Sequence, residues 1–372
     1  MAKITESIAE FLRAEIGRGA FPGAQYLVGQ DAEIVAEDAL GWAVIEPEKI
    51  AANLNTIYDL ASLTKPLVTA LLTVIFAQRG ALDLKAPLAD YLQEFNEDGG
   101  NSGRPTLLHL LTHTSGLPPW RPLYLEATNR DDVVKVIARM ARELPSGAAF
   151  PVAYSDLNYI LLGFLLERVA GERLDRLAQR EIFMPLGLQR TMFRPPPQLR
   201  RETAATERGQ IHERGNAGED AAAQYPWREQ MIWGEVHDGN AHFLGGVAGH
   251  AGLFSTAREV FRMANQFLPG SLLLSPDSLP LCTQNFTPGL GDARSVGWML
   301  AETLDCSAGP LLPPTAFGHT GFTGTSLWID PEKRRVFILL TNRVHPQVGA
   351  IDLKPIRQRF HALAVEWLDR VK

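Results

Sequence analysis

Apolar residues near the start of the chain recur as Ile4, Ile8, Phe11, Leu12 and Ile16 within MAKITESIAEFLRAEIGRG. That spacing lays them on one helix face and predicts an amphipathic N-terminal helix. The period then changes. AQYLVG, the turn-like QDAE and IVAEDALGWA read as a β-hairpin between Gly23 and Gly41. The far end mirrors this arrangement: TSLWID and RRVFILLTN are β-rich runs separated by Pro331-Glu332-Lys333, a turn signal. The last stretch returns to helical spacing, with Ile356, Phe360, Leu363, Trp367 and Val371 on one face. Strands from both ends of the chain, each flanked by a helix, predict one sheet built from both termini.

The middle has a different rhythm. RPTLLHLLTHTSGL, RDDVVKVIARMARELP and SDLNYILLGFLLERVAG carry helical patterns, the last with Leu157, Ile160, Leu161, Phe164 and Leu165 as an apolar stripe that Gly171 ends. The expected organisation is an α+β fold. Its mixed, mainly antiparallel sheet is flanked by helices and formed by residues 1–83 and 289–372, with residues 84–288 inserted as an all-α domain. Residues 195–230 open on three prolines and continue with little that can form a core, which predicts a long loop. Its length suggests a lid that sets substrate size.

Composition narrows the classes. The chain has 372 residues, 45% hydrophobic and 21% charged, with a formal net charge of -6. No clustered basic face stands out, so nucleic acid is not an expected partner. No continuous apolar run reaches the ~18 residues of a membrane helix, and the N-terminal stretch lacks the apolar centre of a secretory signal. The expectation is therefore a cytoplasmic protein with no membrane partner, its oligomeric state left open. Cys282 and Cys306 fit neither a disulfide framework nor a metal spacing. The histidine-bearing run WGEVHDGNAHFLGGVAGHAGLFSTARE holds His237, His242, His250 and Asp238, but without the helical H-x-x-x-H spacing. No metal and no cofactor are expected.

Three short motifs carry candidate chemistry. In DLASLTKPLVTALL, Ser62 and Lys65 stand three apart at a helix start, so their side chains share a face. A serine hydroxyl needs a base to act as nucleophile, and a desolvated lysine with a lowered pKa can serve. In AYSDLNY, Tyr154 precedes a strong helix whose cap is Ser155 or Asp156, and a tyrosine there can relay a proton to a leaving group. In GHTGFTGTSLWID, His319, Thr320 and Gly321 lead into a strand. Glycine permits close backbone approach, and an N–H just beyond it can pair with that of Ser62 as an oxyanion hole.

These motifs, in this order and with TLLHLLTHTSGLP between them, resemble the serine β-lactamase and penicillin-binding protein superfamily, with its S-x-x-K, Y-x-N and K-T-G signature. The resemblance runs from about Phe21 to His345. It is closest to the class C β-lactamase-related serine hydrolases, a branch of esterases, D-amino-acid peptidases and β-lactamases. It implies that Ser62 is the acylated nucleophile, Lys65 its base and Tyr154 the second base. The backbone N–H groups of Ser62 and Phe322 form the implied oxyanion hole, and Thr320 and Gly321 line the substrate strand. The implied fold is the sheet with its helical domain.

Two positions depart from that pattern. Asp156 stands where these β-lactamases carry asparagine, and a carboxylate only accepts hydrogen bonds. His319 stands where they carry lysine and is at most partly cationic at neutral pH. Both argue against an anionic β-lactam. The expected function is a serine hydrolase cleaving an ester or small amide, carboxylesterase-like. The alternatives are a D-amino-acid peptidase or amidase on cell-wall fragments, a β-lactamase, and a penicillin-binding sensor that does not turn over. A small ester, amide or peptide is the expected partner. His237, Phe243 and Trp120 are expected to shape the substrate pocket, with His250 beside or beneath it and Tyr225, Trp227 and Trp233 as further aromatic candidates. An α/β-hydrolase is excluded by the lack of a G-x-S-x-G elbow.

Overall fold

The computed structural model describes residues 2–96, 105–144, 150–218 and 225–370. Among these the strands are β1 (Gly23–Gln30), β2 (Glu33–Val44), β3 (Ile50–Ala51), β4 (Tyr58–Asp59), β5 (Met192–Phe193), β6 (Leu253–Ser255), β7 (Met299–Leu300), β8 (Phe317–Thr320), β9 (Ser326–Asp330) and β10 (Arg335–Thr341). Seven form one sheet in the order β3-β2-β1-β10-β9-β8-β7, and β4, β6 and β5 form a second. Every pairing within the two sheets is antiparallel. The chain ends meet at the sheet centre, where β1 pairs with β10 from Ala24↔Thr341 to Gln30↔Arg335.

The hairpin between β1 and β2 closes through Asp31 and Ala32, both at positive φ, the backbone that a two-residue turn of right-handed twist requires. The central strands read as unbroken apolar runs because both faces of the sheet are covered. Side chains alternate across a strand. Phe337 and Leu339 of β10 therefore join Tyr26, Val28 and the terminal helices in one core, while Val336, Ile338 and Leu340 join Leu27 in the other. The first core includes Ile4, Ile8 and Leu12 of the helix Ala2–Gly17 and Phe360 and Leu368 of the helix Lys354–Arg370. Val371, expected on that last stripe, lies outside the described residues.

The second core holds the nucleophile segment. A 3-10 turn (Ala61–Leu63), a wider π-helical stretch (Lys65–Ala70) and an α-helix (Leu71–Gln78) follow one another. This run is long and apolar enough to cross a membrane by composition, yet 83% of its span is buried inside the protein. Leu67, Val68, Leu71, Leu72 and Ile75 are almost wholly inaccessible, each contributing on the order of 1.5–3 kcal/mol by burial. The helix Asp156–Ala170 packs beside it.

The middle of the chain is less uniformly helical than its pattern. β5 and β6 come from it, and the helix Ala257–Ala264 lies against β1 and β10. Of the stretch 195–230, expected as a loop, residues 219–224 lie outside the described residues; the remainder contains a 3-10 turn (Pro197–Glu202) and a helix (Ile211–Ala217), and Thr203 through Glu207 are buried. Its backbone finds partners in Ile57, Ala43 and Ile232. Those partners are distant in sequence, which is why no local pattern marks them.

Candidate active site

β4 delivers the chain into the 3-10 turn through Ala61, a non-glycine residue at φ 47. Such a backbone persists only where its surroundings impose it. Here the Asp59 carboxylate accepts from Ala61 N at 2.9 Å and from His237 N at 2.8 Å. Thr323 and Thr325 hydroxyls donate to the carbonyls of Asp59 and Leu60 at 2.7 and 2.9 Å. The strand end therefore grips the turn from the other side. Gly321 is required at that contact: a Cβ there would lie 2.5 Å from the Leu60 carbonyl oxygen and 2.1 Å from Thr325 Oγ1.

Lys65 Nζ lies 2.9 Å from Ser62 Oγ, 3.0 Å from the His250 carbonyl oxygen and 2.7 Å from Asp156 Oδ1. Its side chain is wholly buried. The Tyr154 hydroxyl is hydrogen-bonded to both Lys65 and Ser62. The structure thus brings Ser62, Lys65, Tyr154 and Asp156 together. It changes what Lys65 is. Burial pulls the ammonium down, but the Asp156 carboxylate and Tyr154 outweigh burial, and the net shift is upward. The lowered lysine pKa expected from the sequence is not found, because Asp156 faces the ammonium. Burial pushes the Tyr154 phenol up by more than Lys65 pulls it down. At neutral pH the cluster is an ammonium, a phenol and a hydroxyl.

Asp156 opens its helix but Ser155 occupies the cap position, and the Ser155 hydroxyl turns away to the Pro118 carbonyl at 2.7 Å. Ser155 N donates to His113 Nδ1 at 3.0 Å, and the His113 ring lies 4.6 Å from that of Tyr154. The His319 ring lies 5.7 Å from that of Tyr154. Burial, with Lys65 and Arg294 nearby, holds both imidazoles well below their ordinary pKa, so His319 is neutral. His113 carries no motif of its own. Its positive φ and its bond to the residue after Tyr154 emerge only in the fold.

The glycine-rich run supplies the lysine's carbonyl partner. Gly249 passes so close over the helix Asp156–Ala170 that a Cβ would lie 2.0 Å from the Tyr159 carbonyl oxygen. His250 Nε2 meets Asp238 Oδ1 at 2.8 Å, while His237 Nε2 meets Glu207 Oε2 at 3.0 Å and His242 stands apart near Glu235. The three histidines diverge to separate carboxylates. Burial opposes the charge on His237, but the bond to Glu207 prevails and raises its pKa. Its ring stacks on Phe322 at 5.6 Å.

Ser62, Tyr154 and Phe322 line two cavities at once. The smaller, about 240 Å³, adds Asp59, Trp120, Asp156, His212, Glu213, His237 and Asp238. Burial, with Asp238 nearby, pushes the Glu213 carboxyl up to about 7. The larger, about 520 Å³, adds Arg294, His319, Thr320, Gly321, Arg343, Lys354 and Arg357. Lys354 is paired with Asp305 at 2.6 Å and Arg294 with Asp292 at 2.9 Å. Arg343 and Arg357 instead donate to main-chain carbonyls, those of Phe322 at 2.9 Å and Thr325 at 3.1 Å. Burial and the neighbouring Arg343 bring Arg357 down to about 10. Sequence reasoning missed these arginines, which stand in no motif.

Of the expected pocket residues, Trp120, Asp156, His237, His319, Thr320 and Gly321 line the two cavities. Phe243 does not. It lines a separate cavity with Arg130, Arg173 and Arg194, because the helix Gly239–Phe243 carries its far end away from Ser62. Tyr225 and Trp227 pack on Tyr124, and the Trp233 indole donates to the Thr203 carbonyl at 2.7 Å. Burial pushes the Cys282 thiol up to about 12, far from the range of a nucleophilic cysteine.

Known proteins resemble this chain over most of its length. The model of the family described as Beta-lactamase matches residues 8–359. A protein named putative D-alanyl-D-alanine carboxypeptidase from Escherichia coli O157:H7 is 32% identical over 362 residues, covering 88% of this chain and 80% of the relative. A penicillin-binding protein homologue from Caulobacter crescentus superposes with a TM-score of 0.73 at 22% identity, over 97% of both chains. A class C β-lactamase from Rhodobacter sphaeroides does so with a TM-score of 0.70 at 20% identity, over 98% of this chain and 99% of the other.

Proposed function

The chain belongs to the β-lactamase family and is a hydrolase of the penicillin-binding-protein fold, and from that premise we propose that it is a serine peptidase acting on short peptides or amides that end in a free carboxylate. D-Alanyl-D-alanine termini are the leading candidates. Ser62 attacks the scissile carbonyl and is acylated. The Ser62 and Phe322 N–H groups hold the oxyanion, a contribution worth about 3–4 kcal/mol per donor in comparable sites. Tyr154, bonded to both Ser62 and Lys65, passes a proton to the leaving nitrogen. Water then enters from the cavity and releases the acyl group.

One observation carries the choice of substrate. The larger cavity opens beside Ser62 and presents Arg343 and Arg357, which donate to main-chain carbonyls, with Asp352 as the carboxylate near both. A guanidinium so placed can take a carboxylate through paired hydrogen bonds. The cation that a histidine at position 319 fails to provide is thus available from other elements. This moves the preference from the simple ester that the sequence alone favours to a carboxylate-bearing leaving group. The name of the Escherichia coli relative points the same way.

The test compares diacetyl-L-lysyl-D-alanyl-D-alanine with the same peptide capped as its C-terminal amide, alongside p-nitrophenyl butyrate and a chromogenic cephalosporin. The expected result is a preference of about 10-fold or more for the free carboxylate, and loss of about 10^4-fold or more in Ser62→Ala. Equal rates on free and capped peptides, with faster ester turnover, would return the choice to the esterase. Rapid cephalosporin turnover would make it a β-lactamase, and a stable acyl adduct without turnover a sensor.

A further inference from the structure

Asp156 does more than border the substrate. We infer that it is the terminal proton acceptor for acylation, drawing the Ser62 proton through Lys65. The inference rests on the serine acyl-enzyme reading above.

The geometry around Lys65 Nζ carries it. Four groups surround the nitrogen: the His250 carbonyl at 3.0 Å, Asp156 Oδ1 at 2.7 Å, Ser62 Oγ at 2.9 Å and the Tyr154 hydroxyl. The carbonyl can only accept, and so can the carboxylate while it is ionised, as in its ion pair with Nζ. The Ser62 and Tyr154 hydroxyls can both accept and donate. If one ammonium proton crosses to Asp156 Oδ1, the resulting amine can turn about the Cε–Nζ bond to bring its lone pair to the Ser62 O–H. The Ser62 proton then moves to Nζ as Oγ bonds to the substrate carbonyl carbon. The carbonyl π pair moves onto its oxygen, and lysine is again an ammonium. The net change is one new Oγ–C bond, one oxyanion and one proton on Asp156. On collapse the C–N bond breaks. The leaving nitrogen takes a proton from Tyr154, Lys65 refills Tyr154, and Asp156 refills Lys65. Neither an oxidant nor a co-reactant is needed.

An asparagine at this position cannot take that proton. A resting lysine base would also need a depressed pKa, and the opposite shift is present. The titratable and charged groups facing this cluster are Tyr154, His113, His319 and Arg294 on one side, His250 and Asp238 on the glycine-rich run, and Asp59, Glu213 and His237 across the smaller cavity. Glu213 and His237 are unchanged in a variant at 156, so limbs they cause persist there and are separable.

The test is the pre-steady-state acylation rate with p-nitrophenyl acetate from pH 5 to 10, for wild type, Asp156→Asn and Asp156→Glu, with Ser62 adduct confirmed by intact mass. Wild type is expected to be level from neutral pH to about 9. Asp156→Asn is expected to fall about 10^2-fold at pH 7 and to acquire an alkaline rise as Lys65 deprotonates. Asp156→Glu is expected to keep the wild-type shape. Asp156→Asn with the wild-type rate and profile, or a wild-type rate that climbs steadily from pH 7 to 10, would overturn the inference. Absence of any Ser62 adduct in wild type would overturn the serine reading and this relay with it. That outcome is distinct from acylation indifferent to residue 156.

Discussion

The two cavities that share Ser62, Tyr154 and Phe322 differ in their balance of charge. The larger one gathers Arg294, Arg343, Lys354 and Arg357 from the β7 side, the end of β10 and the C-terminal helix, against two carboxylates, Asp305 and Asp352. The smaller one gathers Asp59, Asp156, Glu213 and Asp238 with two histidines, from β4, two helices and the glycine-rich run. The nucleophile sits between them. On the proposed function, a substrate bearing a carboxylate on its leaving group is drawn in one orientation, with its acyl part toward the smaller cavity. Asp156 pairs with the resting Lys65 on the side of the smaller cavity, apart from the arginines of the larger one.

The contact that keeps the cavities joined is the most sensitive point. Gly321→Ala must displace the Leu60 carbonyl or Thr325. It is expected to cost about 1–3 kcal/mol of stability and at least about 10^2-fold in kcat, because the Ser62 turn and the Phe322 N–H move apart. Thermal unfolding and ester hydrolysis check both effects. A variant with unchanged kcat would show that the strand does not set the oxyanion site.

A milder change tests the basic side alone. Arg343→Ala removes a guanidinium that reaches the Phe322 carbonyl and faces the larger cavity. The expected outcome is a rise in KM of about 10-fold or more for carboxylate-terminated peptides, with little change for the amide-capped peptide. Equal losses on both would mean that Arg343 supports the Phe322 turn and does not read the substrate.

The acidic side is tested most gently through stability. Glu213 has an ordinary carboxyl pKa of 4.5 when unfolded and about 7 in the fold. Between those values the native state binds the extra proton, so stability falls as pH rises from about 4.5 to 7. Glu213→Gln removes this cost. The variant's melting temperature relative to wild type is expected to rise between pH 5 and pH 8, by the equivalent of about 2 kcal/mol. A pH-independent difference would mean that Glu213 ionises freely in the fold.

Much of the architecture was legible because it is encoded locally. The helix face of Ile4, Ile8 and Leu12, the hairpin around Asp31 and the strand runs at the C-terminal end all follow from short periods. The Ser62–Lys65 pair is equally local, since three residues of helical turn bring the two side chains together. In the stretch 195–230 the described residues 202–206 take their order from partners such as Ile57 and Ala43, which no local pattern names. The family resemblance of the glycine-rich run puts Phe243 in the pocket, but a short helix turns it toward a different cavity.

The sequence by itself determined the elements, their order and the spacing that makes Ser62 a nucleophile candidate, because periodicity acts over a few residues. Only the tertiary structure decided the protonation of that site and the charge of its surroundings. Lys65 is held cationic by a carboxylate from residue 156, His319 is kept neutral by burial near Lys65 and Arg294, and the cations lining the larger cavity come from positions 294, 343, 354 and 357. Electrostatic energy depends on distance and solvent exclusion, and neither exists until distant segments pack together.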